Sequence, residues 1–252
     1  MKALKQNMAV RFLNCASMHP WWPRWQVGGM CLLVDTEQGP VLVDTGFGLH
    51  DHEIPSPMVK FFRADFGIPY APQECAVRQV ENLGIHPREI GNIILTHLHF
   101  DHAGGLPDFP WANVHLHKKE YEAMLHPKKW IETFAYDPAD FAHQPRWVTY
   151  EEITDNWFGF DAIRLPFTPS IFLIPLFGHT SGHCGVAIEN GDGWVFQAGD
   201  SIPLDANFHV TPAWVNRIVL GKHIERLRAF TEVHPNIRLL AGHATKGFFE
   251  RE

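Results

Sequence analysis

The chain has 252 residues, 45% of them hydrophobic and 19% charged, with a formal net charge of −7. That length and balance describe one large globular domain over 1–252 and exclude a collagenous or low-complexity chain. The acidic balance argues against a surface that tracks nucleic-acid phosphates. The four cysteines (Cys15, Cys31, Cys75, Cys184) form no CxxC pair, so neither a disulfide framework nor a thiolate zinc site is expected. The first residues lack an uninterrupted apolar segment and no run reaches the roughly 18 apolar residues of a membrane span. A cytoplasmic protein without a membrane partner is the expectation.

In chain order, aliphatic runs at 10–15, 30–36 and 40–46 read as strands, the last two forming a hairpin across "EQG". Residues 56–66 suit a helix or a lid. A better helix covers 72–85, with Pro72 near its start, Ala76, Val77, Val80 and Leu83 at helical spacing, and Gly84 as its stop. Strands follow at 92–96 and 113–117, then a helix at 118–125. The stretch 126–170, rich in Pro, Trp, Phe and Asp without a clean period, is expected to be an insertion of short helices and loops covering a pocket. Strands return at 171–176, 184–190 and 193–199. A helix at about 213–230 and a strand at 237–241 close the chain. Each half thus contributes sheet and helix, which fits a four-layer αββα sandwich, or another mixed α/β arrangement that periodicity does not distinguish from it.

The compositional oddity is histidine, with seventeen copies. In "IILTHLHFDHAGG" (93–105), an aliphatic strand runs into His97, His99, Asp101 and His102. On extended backbone, residues two apart point to one side, so the rings of His97 and His99 share a face. Asp101 and His102 follow where the chain turns, and "AGG" (103–105) lets the backbone bend tightly there. Four ligand-type groups gathered at the end of a buried strand are costly unless a divalent cation joins them. Three later stretches repeat the pattern of apolar strand, glycine and ligand-type side chain: His179 in "LFGHTSGH", Asp200 in "FQAGDS" and His243 in "LLAGHA". Sites collect in strand-end loops of this kind. His115 and His117 are expected to be structural, and His183 to support its loop.

These motifs carry a resemblance. "LVDTG" (42–46), "THLHFDHAGG" (96–105), "GHTSGH" (178–183), "AGD" (198–200) and "AGH" (241–243) resemble, in order, the metallo-β-lactamase superfamily of dinuclear metallohydrolases. The resemblance implies the αββα fold and two divalent metal ions. His97, His99 and His179 would hold one ion, Asp101, His102 and His243 the other, and Asp200 would bridge them. Asp44 would orient a ligand from outside. Asp101 and Asp200 would be the catalytic carboxylates, Asp101 as a proton carrier. Nitrogen and carboxylate donors without thiolate suit zinc, and also iron, manganese or cobalt.

Within that superfamily, the β-lactamases mostly carry cysteine where Asp200 stands. The glyoxalase II branch adds a carboxy-terminal domain for which the nine residues after His243 leave no room. The nuclease branches add a domain or basic arm. What remains is similar to the N-acyl homoserine lactone lactonases, implying a small-molecule substrate with an apolar portion, seated near the aromatic segments 19–25, 56–66 and 126–170. One departure stands out: Pro203 occupies the place where those lactonases carry a tyrosine aimed at the substrate carbonyl. Alternative readings are a phosphodiester, thioester or other small-ester hydrolase, a non-catalytic metal-binding or sensory domain, and a metal-dependent redox enzyme.

Overall fold

A computed structural model describes residues 8–20, 26–191, 193–204 and 223–251. The first sheet contains β1 (Val10–Met18), β2 (Val27–Thr36), β3 (Gly39–Val43), β4 (Asn92–Ile94), β5 (Asn113–His117) and β6 (Arg146–Tyr150), paired in that order. β1, β2 and β3 are antiparallel neighbours, and β3 to β6 run parallel. The second sheet uses β7 (Asp155–Trp157), β8 (Phe160–Arg164), β9 (Ile171–Pro175), β10 (Cys184–Asn190), β11 (Gly193–Gln197) and β12 (Ile237–Leu240). β13 (His243–Thr245) returns the chain to β2 of the first sheet.

Strand alternation creates the layers. Leu32, Val34, Val41, Val43 and Ile94 of the first sheet face Ile171, Leu173, Val186, Ile188 and Val195 of the second, all buried. The opposite faces carry Leu33, Leu42, Ile93, Val114 and Leu116, packed with helix residues Ala76, Val77, Val80 and Ala123. They also carry Phe172 and Phe196, packed with Ile224, Leu227 and Phe230 of another helix. Helix, sheet, sheet, helix is the expected four-layer order. Among the described residues, no helix is long and apolar enough to cross a membrane.

Among the described residues the α-helices are α1 (Leu49–Glu53), α2 (Pro57–Asp65), α3 (Ala76–Asn82), α4 (Phe100–Ala103), α5 (Lys118–Leu125), α6 (Trp130–Ala135), α7 (Pro138–Phe141), α8 (His223–Val233) and α9 (Lys246–Phe249). The helix expected at 72–85 begins as a 3₁₀ turn, Pro72–Glu74, and becomes α-helical only at Ala76. Of the helix expected at 213–230, the residues before 223 lie outside the described residues, as do 21–25 of the aromatic stretch at 19–25.

The stretch 126–170 differs from its expectation. Only 126–145 is helix and loop; β6 extends the first sheet, and β7 and β8 form a hairpin at the far edge of the second. Two features hid these strands. β6 is an edge strand with little buried surface, so its sequence lacks a strong apolar alternation. The hairpin turns at Phe158 (φ 47°) and Gly159 (φ 86°), a double positive-φ turn whose usual signature is Asn-Gly. Trp157, Phe160, Phe196 and Phe230 pack together and hold that hairpin in place.

Candidate metal centre

Parallel strands end together, and here they end at one rim. Asp44 follows β3, His97 to His102 follow β4, His179 follows β9, Asp200 follows β11 and His243 follows β12. Two hydrogen bonds pin the rims of the sheets at this point: Cys184 N donates to Thr96 O (2.9 Å) and Met30 N to Gly242 O (2.9 Å).

The structure brings all the sequence-predicted ligand residues together. Ligand-type atoms of His97, His99 and His179 lie within 4.8 Å of one another, as do those of Asp101, His102 and His243, and those of His97, His102 and Asp200. Asp200 stands between the groups. Its Oδ2 is 3.4 Å from His179 Nε2, while its Oδ1 is 3.4 Å from His102 Nε2 and 3.7 Å from His243 Nε2. His243 Nε2 is also 3.3 Å from Asp101 Oδ2. Donors about 2.0–2.2 Å from a common cation are separated from each other by roughly 3–3.5 Å, close to these spacings.

Buried donors without partners supply an independent test of fit. His97 Nε2, His99 Nε2, His102 Nε2 and Asp200 Oδ1 are all buried without a hydrogen bond. The remaining His99 nitrogen, Nδ1, faces only His179 Nε2, at 3.0 Å. Native interiors rarely leave such atoms unmatched, and cations supply the match.

Asp44 sets the tautomers. Its Oδ1 accepts from Thr96 N (2.8 Å), and its Oδ2 from Thr96 Oγ1 (2.8 Å) and His102 Nδ1 (2.9 Å). His102 therefore carries its proton on Nδ1 and turns Nε2 inward. Thr96 Oγ1, its one hydrogen committed to Asp44, accepts from His97 Nδ1 at 3.0 Å, which frees His97 Nε2 in the same way. This outer support fixes ring orientation. Asp44 holds φ at 57° to make it possible, a left-handed conformation that Asp tolerates better than most residues.

The electrostatics separate into two kinds of group. Burial pushes His97 well below the ordinary imidazole value and His99 down to about 3, and it lowers His179 as well, so these rings stay neutral with lone pairs available. Burial opposes a charge on His102 too, but Asp101, Asp200 and Asp44 overcome it and raise that group well above its usual range. For Asp101 burial acts upward, yet His102 and His243 hold it at about 2. Carboxylates this firmly ionised in a buried pocket call for positive charge.

Glycine matters at one close approach. A Cβ on Gly242 would clash with Asp200 Oδ1, so glycine lets the link between β12 and β13 pass beside that carboxylate.

Other histidines have local roles. His183 Nε2 accepts from Asp200 N (3.0 Å) and supports the Asp200 loop. His115 bonds Tyr150 Oη and Asn92 Oδ1, both at 2.9 Å. His117 caps α5 by accepting from Lys119 N (3.1 Å).

The sequence reading missed Glu120 and Glu132. Glu120 is fully buried. Its Oε1 accepts from Leu98 N (2.9 Å) and Tyr136 Oη (2.8 Å), its Oε2 from Thr180 Oγ1 (2.7 Å) and Gly182 N (3.0 Å). It thus ties the chain between His97 and His99 to the loop carrying His179. Glu132 Oε1 accepts from Ser181 N (2.7 Å) in the same loop. On the charged run "KKEYE" a glutamate reads as solvent-facing. The one available signal is that Glu120 lies three positions before the buried Ala123, on the same helix face. Tyr136 has its ring centroid 5.6 Å from that of His99, but its hydroxyl is committed to Glu120. It does not substitute for the tyrosine absent at Pro203.

The superfamily sequence profile described as "Metallo-beta-lactamase superfamily" matches residues 24–242. This chain belongs to the metallo-β-lactamase superfamily. It is 35% identical over 209 residues to a probable metallo-hydrolase of Mycobacterium tuberculosis, a match covering 80% of this chain and 66% of that protein. It is 29% identical over 167 residues to an N-acyl homoserine lactonase of Bacillus thuringiensis, covering 63% of this chain and 57% of the relative. The chain therefore spans just under two thirds of the mycobacterial relative and a smaller share of the lactonase. Solved structures share the fold. An N-acyl homoserine lactone hydrolase with N-hexanoyl-L-homoserine at its catalytic metal center superposes with TM-score 0.69 at 22% identity, covering 95% of this chain and 93% of that one. A probable metal-dependent hydrolase from Staphylococcus aureus gives 0.72 at 19% identity, covering 95% and 90%.

Proposed function

We propose that this member of the metallo-β-lactamase superfamily is a dinuclear metal-dependent hydrolase that opens lactones or related esters bearing an apolar portion. The observation that carries the reading is Asp200, which directs one carboxylate oxygen toward His179 and the other toward His102 and His243. A single carboxylate facing two donor groups is suited to joining two cations. His97, His99 and His179 would hold one, Asp101, His102 and His243 the other, and zinc is the metal proposed for this nitrogen and oxygen set. When bound, such a pair supplies a nucleophilic water near neutral pH and polarises the oxygen of the scissile bond.

The protein's own groups do the rest. Asp44 and Thr96 lock the rings of His102 and His97, so little reorganisation accompanies the reaction. Asp101 directs Oδ2 toward His243, and its side chain remains 17% exposed. Its Oδ1 is the oxygen assigned to carry a proton from the nucleophile toward the leaving alkoxide.

Substrate class is read from an aromatic track. Phe100, placed between His99 and Asp101, packs on Phe62 (centroids 4.6 Å apart), which packs on Phe134 (5.3 Å). Phe61 and Phe134 are 57% and 41% exposed. An acyl chain laid on these rings gains about 0.8 kcal/mol per buried methylene, roughly four-fold in affinity for each. The kinship with lactonases supports the same choice.

The test is a hydrolysis screen of the metal-loaded protein over acyl homoserine lactones of increasing chain length, aryl esters, thioesters, phosphodiesters and β-lactams, run beside Asp200→Ala. Lactone turnover whose KM falls with chain length, together with loss of both metal and activity in Asp200→Ala, is expected. Full activity in that variant refutes the bridging role. Turnover confined to phosphodiesters or thioesters refutes the lactone reading.

A further inference from the structure

A second cluster of ligand-type side chains lies outside the centre described above. His50 and Asp51, on α1, meet Asp140, on α7, with ligand-type atoms all within 4.8 Å of one another. His50 Nε2 is 3.1 Å from Asp140 Oδ1 and 3.2 Å from Asp51 Oδ1. One ring N–H serves only one of these oxygens, and it is aligned with Asp140. Both aspartates are fully buried, and His50 keeps a quarter of its side chain exposed.

The unmatched buried atoms point to what is missing. Among the described residues, buried side-chain atoms without a partner fall mainly into two groups. One is the centre already described. The other comprises Asp51 Oδ1, Asp140 Oδ2, His50 Nδ1, Asp137 Oδ2 and His143 Nδ1, with only Trp157 and Gln197 outside both. Asp51 anchors its other oxygen on Gly48 N (2.8 Å), which leaves Oδ1 turned into the cluster. No lysine or arginine is paired with either carboxylate among the described contacts. Burial, with repulsion from Asp140, pushes Asp51 well above the usual carboxylate range, and burial, with repulsion from Asp137 and Asp101, does the same to Asp140. Carboxyls that resist ionisation for want of a positive neighbour would, once ionised, carry the charge that one divalent cation neutralises.

We infer that His50, Asp51 and Asp140 form a third metal site, separate from the dinuclear centre, for one first-row divalent cation such as Zn²⁺ or Mn²⁺. The donor spacings of 3.1 and 3.2 Å are those of neighbouring ligands around an ion with bonds of about 2.0–2.2 Å. Water completes the coordination through the exposed side of His50. The role is mechanical. Asp140 belongs to the 126–145 segment, which also supplies Glu132 to the His179 loop, and Asp51 belongs to the helix that follows the Asp44–Gly46 turn. A cation shared by α1 and α7 clamps that segment onto the body of the protein.

The experiment strips the 252-residue chain with a chelator, adds Zn²⁺ or Mn²⁺, and measures metal per chain after gel filtration. Three equivalents are expected for wild type and two for Asp140→Asn and for His50→Ala. His50→Ala, at a partly exposed position, covers the case in which the buried substitution does not fold. A His97→Ala/His102→Ala variant should retain one equivalent, which disappears when Asp140→Asn is added. That last arm stands even if the dinuclear reading fails. Wild type saturating at two equivalents, unchanged in Asp140→Asn, overturns the proposal and leaves a pair of carboxyls sharing a proton. Three equivalents persisting in both single variants overturns it as well.

Discussion

Replacing Glu120 by Gln changes one atom at the hub that joins the two ligand loops. The carboxylate accepts four hydrogen bonds, two at each oxygen. An amide keeps one oxygen for Leu98 N and Tyr136 Oη, but turns an NH₂ toward Thr180 and Gly182. The Thr180 hydroxyl can rotate and accept; Gly182 N–H cannot. One buried N–H is left facing a donor, at about 1–3 kcal/mol, and the remaining bonds lose their charge assistance. Burial raises the Glu120 carboxyl above its usual value against the pull of those four bonds, so removing the charge returns part of the loss. A net destabilisation of about 2–4 kcal/mol follows, or a Tm lowered by on the order of 5–15 °C for a chain of this size. The bonds position Leu98 and the Thr180–Gly182 loop, so metal affinity should fall by about 10–100-fold, as for other outer-shell supports. Thermal unfolding of the chelator-treated protein separates the first effect, and a competitive zinc titration the second. Glu122→Gln, exposed on the same helix, is the control. An Glu120→Gln protein with unchanged Tm and unchanged zinc affinity would show that the hub does not position the ligands.

Two other expectations concern single side chains. Gly242→Ala drives a methyl into Asp200 Oδ1; overpacking of about 1–3 kcal/mol and loss of metal from both halves of the centre should be seen by denaturant unfolding and elemental analysis, and normal metal content would refute the close approach. Burial holds the His115 imidazole down at about 4, against about 6.5 in the unfolded chain. Its contribution is complete above pH 6.5 and is lost as pH falls toward 4, on the order of 2–3 kcal/mol. His115→Gln should therefore flatten the stability profile between pH 6.5 and 4, and an unaltered slope would contradict a buried neutral ring.

Most of the candidate centre was legible because its residues announce themselves locally. A histidine pair two apart, an Asp-His step and a glycine turn at the end of an aliphatic strand mark a site whatever the remaining chain does. The glycine-flanked His179, Asp200 and His243 repeat that strand-end context. Most strands and helices were legible for a similar reason, since burying both faces of a strand or one stripe of a helix requires a periodic sequence; the four-layer order itself came from the family resemblance, because periodicity does not distinguish it from another mixed α/β arrangement. β6 to β8 were not legible, since an edge strand needs few apolar residues and a turn at Phe158–Gly159 lacks its usual residue signature.

What sequence alone marked out, then, is a set of candidate ligand-type residues and the strands that end beside them, because both depend on neighbours a few positions apart. Which oxygen of Asp200 faces which histidine, which ring nitrogens are free, and why a glutamate on a charged helix is buried were decided only by the tertiary structure. Glu120 reaches Gly182 across sixty-two positions and Asp140 reaches His50 across ninety. Contacts at such separation leave no periodic trace, since chain folding, not local spacing, brings the partners together.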